Sequence, residues 1–406
     1  MRRHLFVAAV LVAAAALGIA GYFSSSQLAA AQADIPPAAA RHCDDHCSAG
    51  WMDANLRLDQ LQVVGTAESY KQRPDHALMG LIRMGGRKDA EALDYGLAPI
   101  AAQLDGDVRA LSFDVAFDPE GGAYKNPAGA SMAMDLLPNA YVAAMTRPGF
   151  KVIHVLDVDY NSSCLALNDC LTQVAEWSRA HPRHLPIVIT LKTNDTKTPM
   201  PGATRPLPCD GAALDALDGE IRAVFASAEV ITPAQLQGEY PTLRDAALAH
   251  AWPRLGAARG KVMFVLDDSA EKTKAYLDER GSPAGRTMFI AADEISPQAA
   301  FLSIPDPVKN QARIAAAVKA GFIVTTRADS DAREARQGKT ERRDAAFASG
   351  AQIVQTNFPA ADPAIGSYRV SLADNAGAMC GKRLAPEHCV RLEEPPPRTA
   401  IAAALP

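Results

Sequence analysis

The 406-residue sequence lacks the short motifs of several common kinds of site. Its 7 cysteines include no CxxC pair and its 9 histidines are scattered, which argues against a zinc site. No GxGxxG follows the first predicted strand, which excludes the usual dinucleotide-binding turn. The net charge of -5 gives no electrostatic basis for binding nucleic acid, and 6% aromatic residues argue against an aromatic-lined carbohydrate groove.

Long apolar runs are also scarce, and the one that is present lies at the N-terminus, at residues 5–23. Two arginines precede it, and Ala-Gln-Ala at 31–33 follows it as a small-x-small cleavage site, which is the pattern of a secretory signal peptide. Cleavage there gives an exported chain, periplasmic or secreted, that begins near Asp34. The alternative is a retained membrane anchor, because a run of this length approaches the span of a bilayer.

Cysteines in an exported chain predict disulfides, and six of the seven fall into close pairs. The pairs are Cys43 with Cys47, Cys164 with Cys170, and Cys380 with Cys389, with Cys209 left over. A six-residue offset places Cys164 and Cys170 on different faces of an ideal helix, so their bridge requires a non-helical turn. The sequence does not decide whether Cys209 is free.

Short apolar runs rich in β-formers alternate with stretches that carry apolar residues at helical spacing, which is typical of parallel strands joined by crossover helices. The predicted strands are 61–66, 110–117, 152–157, 186–192, 261–267, 287–292, 322–327 and 353–357, and the clearest predicted helices are 165–180, 214–225 and 311–320. Eight strands predict a closed (β/α)8 TIM-like barrel, with an open doubly wound sheet as the alternative. The predicted organisation is a signal peptide at 1–33, a linker at 34–50, the barrel at 51–392 and a Pro-rich tail at 393–406.

In such a barrel the chemistry lies at the carboxyl ends of the strands. The segments predicted to meet there are 66–70, 112–118, 154–159, 192–195 and 327–329, together with Asn357.

Motifs spread over residues 56–389 carry a resemblance to a known family. They are Leu-Gln-Val-Val-Gly-Thr-Ala-Glu-Ser-Tyr at 61–70, Phe-Asp-Val at 113–115, Asp-Pro-Glu-Gly-Gly at 118–122, Gly-Phe-Lys-Val-Ile-His-Val-Leu-Asp-Val-Asp-Tyr at 149–160, Trp-Pro at 252–253, Arg-Gly-Lys at 259–261, Thr-Arg-Ala-Asp at 326–329 and Ala-Ser-Gly-Ala-Gln at 348–352. On these residues the chain resembles the calcium-dependent phosphoinositide phospholipases C in their bacterial, single-barrel form. The resemblance implies a barrel of the phospholipase C-like phosphodiesterase type.

The resemblance also implies a chemistry. The family cleaves a phosphodiester with the inositol 2-hydroxyl as nucleophile, two histidines for proton transfer and a calcium ion that neutralises the phosphate. This reaction needs a base near the hydroxyl, an acid at the leaving oxygen and several oxygen ligands for a hard cation.

Several positions depart from the family pattern. Ala67 replaces the first histidine, which removes a proton-transfer group that is worth roughly 10²- to 10⁴-fold in rate. Among the calcium-ligand positions, Glu68 replaces an asparagine, Ser112 replaces a glutamate and Lys192 replaces a glutamate, while Asp114 alone is retained. An ammonium about 4 Å from a cation interacts with it by roughly 4 kcal/mol at an effective dielectric near 20, so Lys192 is expected to repel calcium.

Five further substitutions are predicted at the same rim. Leu97 stands for a usual histidine, Asn194 for a lysine, Thr325 for an arginine, and Lys339 and Asn357 for aspartates. We also hypothesise that Glu68 and Lys192 form an ion pair in the calcium position, with Asp114 as a second acceptor.

His154 occupies the position of the second histidine. It is either a phosphate-facing acid or a leftover histidine that is hydrogen-bonded to a neighbour, and the missing partner at residue 67 favours the second interpretation. Asp157 and Asp159 have the spacing of metal ligands, but carboxylates in such a loop more often cap the following helix.

Three functions follow as alternatives. The first is a pseudoenzyme that binds a small phosphorylated polyol or a lipid head group, with no cofactor and doubtful calcium binding. The second is an active phosphoric diester hydrolase, metal-independent or with a relocated base such as Glu68, although adjacent strand residues point to opposite faces. The third is a structural or partner-binding envelope protein. A membrane surface stays open as a partner, and nucleic acid is not expected.

Overall fold

The computed structural model describes residues 45–278, 283, 285–372 and 378–380. The predicted signal peptide, most of the linker, the tail and the pairings of Cys43 with Cys47 and of Cys380 with Cys389 therefore lie outside the described residues. Within the described ranges, no helix is both long and apolar enough to cross a membrane.

Eight parallel strands form a nearly closed barrel. The ten strands of the sheet are β1 (Leu61–Thr66), β2 (Val108–Ala116), β3 (Lys151–Val152), β4 (Ile187–Thr193), β5 (Val262–Leu266), β6 (Met288–Ile290), β7 (Phe301–Ser303), β8 (Ile323–Arg327), β9 (Ile353–Thr356) and β10 (Ala378–Cys380). Their order around the barrel is β6-β5-β4-β2-β1-β9-β8-β7, while β3 and β10 pair antiparallel with β2 and β1. The predicted barrel is confirmed.

The barrel closes between β6 and β7 through a single β-bridge. Ala291 pairs with Phe301 in parallel register, and the Ala292 N–H donates to the Phe301 carbonyl at 3.0 Å. Every other neighbouring pair of barrel strands shares at least two register positions. The seam between β6 and β7 is thus the most sparsely bonded part of the barrel wall.

One predicted strand was wrong and one strand was missed. Residues 152–157 do not form a barrel strand, because only the two-residue β3 pairs there and it runs antiparallel to β2. The apolar side chains of this run, Ile153 and Leu156, instead pack in a separate cluster with Tyr141 and Met145. The missed strand is β7, whose three residues are too few to give a pattern.

Fifteen α-helices are described. They are α1 (Asp45–Asn55), α2 (His76–Gly85), α3 (Arg87–Leu93), α4 (Ile100–Asp105), α5 (Ala128–Ala133), α6 (Asn139–Thr146), α7 (Leu167–Ala180), α8 (Gly211–Val224), α9 (Pro233–Gln237), α10 (Leu243–Leu248), α11 (Leu255–Ala258), α12 (Ala270–Leu277), α13 (Gln311–Ala320), α14 (Arg333–Gln337) and α15 (Glu341–Ser349), with 3-10 turns at Leu58–Gln60 and Ser227–Glu229. The three predicted helices correspond to α7, α8 and α13.

Alternation along the strands decides which side chains reach the barrel interior. On β2, Leu111, Phe113 and Val115 pack outward in one apolar cluster with side chains of α7 and α8. The intervening residues Ser112 and Asp114 line a cavity at the barrel mouth instead. Because successive side chains of a strand point to opposite faces, the polar residues of this part of β2 face the cavity and its apolar residues face the helices.

The barrel interior is crowded beside β1. A Cβ atom on Gly65 would lie 2.7 Å from the Ala110 Cβ and 3.3 Å from an Ile353 methyl carbon. Only glycine fits at this position without displacing its neighbours. The close approach packs β1 tightly against β2 and β9 below the mouth.

The predicted bridge between Cys164 and Cys170 is confirmed, and it links the turn that precedes α7 to the first turn of that helix. Cys209 is buried and free.

Candidate active site at the barrel mouth

A cavity of about 540 Å³ opens at the carboxyl ends of the strands. Six residue positions singled out from the sequence all line it; these are Ala67, Glu68, Ser112, Asp114, His154 and Lys192. Asn194 and Thr325 line it as well, and so does Arg327 at the end of β8. The cavity volume is within the usual range for a small-molecule site.

Other substitutions predicted at the rim lie elsewhere. Leu97 and Lys339 do not line the cavity, and the Lys339 N–H donates to the Glu334 carbonyl between α14 and α15. Asn357 is buried behind Arg327 and accepts a hydrogen bond from its Nη2 at 3.1 Å. Asn194 donates to the Ile153 and His154 carbonyls at 2.8 and 3.1 Å, so it fixes the loop that carries His154.

Glu68 enters the mouth because the backbone turns after β1. Its φ is 45°, in the left-handed region that is uncommon for residues other than glycine. Strand alternation therefore ends at Thr66, and the side chains of Ala67 and Glu68 both line the same cavity. The objection that adjacent residues must face opposite ways does not hold here.

The predicted ion pair between Glu68 and Lys192 was wrong. Glu68 lies 3.7 Å from Arg327 Nη1 instead, and its Oε2 accepts a hydrogen bond from the Tyr95 hydroxyl at 3.1 Å. Asp114 and Lys192 are register partners on β2 and β4, yet Asp114 is engaged by the Tyr70 hydroxyl at 2.8 Å. Lys192 is exposed and has neither a hydrogen bond nor an ion pair within 4 Å among the described residues.

His154 is held by a buried chain of charges. Its Nδ1 lies 2.7 Å from Asp159 Oδ2, and that carboxylate lies 3.1 Å from the Lys71 ammonium. The side chains of Asp159 and Lys71 are both fully buried. Lys71 also donates to the Leu93 and Tyr95 carbonyls. The second nitrogen of the imidazole is consequently left for the cavity.

The two aspartates of this loop do not cap the following helix, so that prediction was wrong. Asp157 Oδ1 accepts from the Ala128 N–H at 2.9 Å, and its Oδ2 accepts from the Thr204 N–H at 2.8 Å. It thereby ties three segments together, while Asp159 serves His154. Neither carboxylate is part of a group with metal-ligand spacing among the described residues.

Burial and neighbouring charges shift the pKa values of Asp114, Glu68 and His154. Burial raises the pKa of Asp114 to about 6, and the nearby negative charge of Glu68 acts in the same direction. Burial would also raise the pKa of Glu68, but the positive charges of Arg327 and His154 outweigh it and the pKa is lowered. For His154, burial opposes protonation, yet the Asp159 hydrogen bond and the charge of Glu68 raise its pKa.

The donor set does not fit calcium. Ligand atoms of Glu68, Asp114 and His154 lie within 4.8 Å of one another, a spacing that suits a metal ion. Calcium takes six to eight oxygen ligands, whereas this group has one imidazole and only two carboxylates. Glu68 is already partnered by Arg327, and Lys192 brings a further positive charge to the same wall. An imidazole with two carboxylates is closer to the preference of zinc or manganese.

Sequence reasoning missed the partners of these residues. Arg327, Tyr95 and Lys71 were not assigned roles, although Arg327 stands at the end of a predicted strand. Lys71 directly follows the motif at 61–70, and nothing in the neighbouring sequence indicates that its side chain is buried. The pairings span 22 to 259 residues of chain, so no spacing rule indicates them.

The sequence model of the family described as "Phosphoinositide phospholipase C, Ca2+-dependent" matches residues 56–381. The chain is similar to a solved calcium-dependent phosphoinositol-specific phospholipase C of Pseudomonas sp., with 17% identity over 78% of this chain and 94% of that one and a TM-score of 0.48. It is also similar to a solved Ca2+-dependent phosphatidylinositol-specific phospholipase C of Streptomyces antibioticus, with 17% identity over 74% and 94% of the two chains and a TM-score of 0.46. No curated protein matches the chain.

Proposed function

Since the chain belongs to the Ca2+-dependent phosphoinositide phospholipase C family, we propose that its barrel mouth binds the phosphoryl group of a phosphorylated polyol head group without calcium and turns it over poorly. Arg327 and Lys192 take over the neutralisation of phosphate. Ala67 offers no proton-transfer group where the family pattern has a histidine, so rapid cleavage is not expected.

The observation that carries this proposal is that Arg327 and Lys192, which line the cavity, make few hydrogen bonds to the protein. Lys192 has no hydrogen bond or ion pair among the described residues. The only side-chain hydrogen bond of Arg327 there goes from Nη2 to Asn357, and its Nη1 lies 3.7 Å from Glu68. The Arg327 Nε lacks any hydrogen-bond partner although it is buried. An arginine with spare donors in a fixed fork is suited to two phosphate oxygens, and an ammonium supplies a point charge beside it.

The experiment is calorimetry on the full chain with myo-inositol 1-phosphate, once in EDTA and once with calcium. We expect the same affinity in both conditions. Arg327→Gln should weaken binding at least tenfold, because a charge-assisted hydrogen bond contributes about 1.5 to 3 kcal/mol. Arg179→Gln is the matched control, since Arg179 pairs with Glu229 on the outer surface.

Two results contradict the proposal. One is binding that appears only when calcium is present. The other is an affinity that is the same in Arg327→Gln as in Arg179→Gln, which would place the phosphoryl group elsewhere.

A second candidate function is metal-independent phosphodiester cleavage, and the left-handed backbone at Glu68 favours it. Glu68, kept ionised by Arg327, is placed to take the proton of an attacking hydroxyl as its oxygen bonds to phosphorus. His154, protonated and oriented by Asp159, is placed to donate a proton to the leaving oxygen as its bond to phosphorus breaks. The two groups lie within 4.8 Å of each other by their ligand atoms.

Turnover of a chromogenic phosphodiester in EDTA tests this candidate. Glu68→Gln and His154→Ala should each lower the rate by about 10²-fold or more. Equal residual rates in wild type and both variants would assign the activity to a contaminant.

We also propose that the protein is exported. The Cys164–Cys170 disulfide supports this proposal, because such bridges persist in oxidising compartments. Detection of the chain in a periplasmic or secreted fraction, shortened to a start near Asp34, is the expected result.

A further inference from the structure

Lys71 is a fully buried lysine that lies behind the wall of the mouth. Its ammonium lies 3.1 Å from Asp159 Oδ2 and donates to the Leu93 carbonyl at 2.8 Å. It also donates to the Tyr95 carbonyl at 3.0 Å and lies 4.4 Å from the centroid of the Tyr95 ring. Lys71 is not among the residues that line the cavity, so it acts on a ligand there through other side chains.

Two partners of Lys71 each hold a side chain that lines the mouth. Asp159 Oδ2 lies 2.7 Å from His154 Nδ1. The Tyr95 hydroxyl donates to Glu68 Oε2 at 3.1 Å. His154 follows β3 and Glu68 follows β1, so the two lining residues belong to different loops. One buried ammonium is therefore connected to both loops through a single intermediate on each side.

The carboxylate of Asp159 has few other restraints. Among the residues that the structure describes, its Oδ2 is bonded by His154 and Lys71, while its Oδ1 is buried without a hydrogen-bond partner. Without the ammonium this carboxylate can rotate away from the imidazole. The direction in which His154 presents its second nitrogen to the cavity would then no longer be fixed.

The pairing of Lys71 with Asp159 adds little stability that apolar side chains could not supply. Both groups are fully buried, so the desolvation of two charges offsets much of their attraction. Two backbone contacts join the same loops independently of the ammonium. Lys71 pairs with Ser162 through an antiparallel bridge, and the Ser163 N–H donates to the Tyr70 carbonyl at 2.8 Å. A change of the Lys71 side chain therefore leaves this junction in place.

We propose that Lys71 is a positioning residue of the mouth, which fixes His154 through Asp159 and Glu68 through Tyr95. The inference rests on the proposed function, because the affinity for a phosphorylated polyol is the property that this positioning supports. His154 directs its free nitrogen into the cavity that holds the phosphoryl group. Glu68 lies 3.7 Å from Arg327 Nη1, so its position also decides where that guanidinium stands.

The experiment compares Lys71→Met with Lys151→Met by calorimetry with myo-inositol 1-phosphate, on the full chain in EDTA. Lys151 is the matched control, since it is equally buried, lies 3.2 Å from Asp118 and donates to the Arg147 and Gly149 carbonyls. None of these partners lines the mouth. We expect Lys71→Met to bind about tenfold more weakly, the effect of one charge-assisted hydrogen bond, and Lys151→Met to keep the wild-type affinity.

Two readouts separate positioning from a general loss of structure. In a His154→Ala, Tyr95→Phe background, which cuts both connections, Lys71→Met should weaken binding no further. Proton NMR without ligand should show the Nδ1 proton of His154 far downfield in wild type and in Lys151→Met, because it is shared with a buried carboxylate. This signal should move upfield or vanish in Lys71→Met, and its absence from His154→Ala assigns it.

If Lys71→Met does not fold, the two connections are tested one at a time. Asp159→Asn and Tyr95→Phe should each weaken the binding of myo-inositol 1-phosphate severalfold. An unchanged affinity in both variants would overturn the inference.

The failures are distinguishable. If wild type does not bind myo-inositol 1-phosphate, the proposed function falls, and the NMR signal alone decides whether Lys71 positions His154. If wild type binds, an equal affinity in Lys71→Met and Lys151→Met overturns this inference alone. A His154 signal that is unchanged in Lys71→Met overturns it as well.

Discussion

Lys192 is the residue at which the mouth departs most from calcium chemistry. It sits beside Asp114 in register, where its ammonium would repel a divalent cation. The carboxylate of Glu68 does not compensate for it, because Arg327 and Tyr95 already engage that group. The lining of the mouth thus carries its own positive charges, on Lys192 and Arg327.

Lys192→Glu is predicted to make the mouth responsive to calcium. The change removes the ammonium and adds a carboxylate next to Asp114, so calcium at tenfold its dissociation constant would stabilise the fold by about 1.4 kcal/mol. We expect a melting temperature raised by about 2 °C or more by calcium in this variant, measured by calorimetry.

Lys192→Met is the control for that prediction, because it removes the charge without adding an oxygen ligand and should respond less. A wild-type protein that responds to calcium as strongly as Lys192→Glu would contradict the argument.

Asp329 predicts a pH dependence of stability. It is fully buried, and burial raises its pKa from 3.8 to about 6, although Thr356 and the Asn357 N–H donate to it. The folded state then binds more protons than the unfolded state between these values, so this group lowers the unfolding free energy as pH rises through that window. A shift of about 2 units corresponds to about 3 kcal/mol.

Asp329→Asn should remove this contribution. Urea unfolding at pH 4 and pH 7 is expected to show a larger loss of stability with rising pH in wild type than in the variant. Parallel pH profiles for the two proteins would refute the assignment.

At the residue scale, the sequence indicated which side chains reach the mouth and failed on how they pair. Ser112, Asp114 and Lys192 were identified through the family resemblance, and strand alternation explains why they face the mouth. The pairing of Glu68 with Arg327 was not, since it depends on a left-handed residue after β1 and on a strand far along the chain.

At the scale of elements, local patterns identified seven of the eight barrel strands. They failed for an apolar run that is buried outside the barrel and for a strand that is too short to show a pattern. The run at 152–157 has the composition of a strand, but it forms a loop whose apolar residues serve a cluster under α5 and α6. The three-residue β7 is the converse, a strand that has little to show in sequence.

The packing of α5 gives a prediction at this scale. A Cβ on Gly129 would lie 2.3 Å from the Asp157 carbonyl oxygen, while one on Gly219 in α8 meets nothing within 4 Å. Gly129→Ala should therefore lower the unfolding free energy by about 2 kcal/mol or more, because backbone must move. Gly219→Ala should raise it by roughly 0.5 to 1 kcal/mol through helix propensity.

Chemical denaturation of both variants is the measurement. Equal effects of the two substitutions would mean that the contact of α5 with the loop at Asp157 is not tight. Because Asp157 braces the loop that carries His154, phosphate binding by Gly129→Ala should also weaken.

At the scale of the whole molecule, the barrel wall is uneven. The single bridge between Ala291 and Phe301 contrasts with the four register pairs between β1 and β9. Amides of the seam are therefore predicted to exchange with deuterium faster than those of β1, such as Val63, whose N–H donates to the Gln352 carbonyl.

Hydrogen exchange resolved by mass spectrometry measures this difference on peptides that cover 288–303 and 61–66. Equal protection of the two peptides would show that the wall is uniform.

The seam also forms one wall of a second cavity, of about 450 Å³, beside the mouth. Ile290, Ala291 and Ser303, which lie at the seam, line this cavity. A barrel with one sparsely bonded seam can widen at that seam while its other strand pairs stay hydrogen-bonded. A ligand that contacts both β6 and β7 would hold the two strands together, so ligand binding would also make the barrel more rigid.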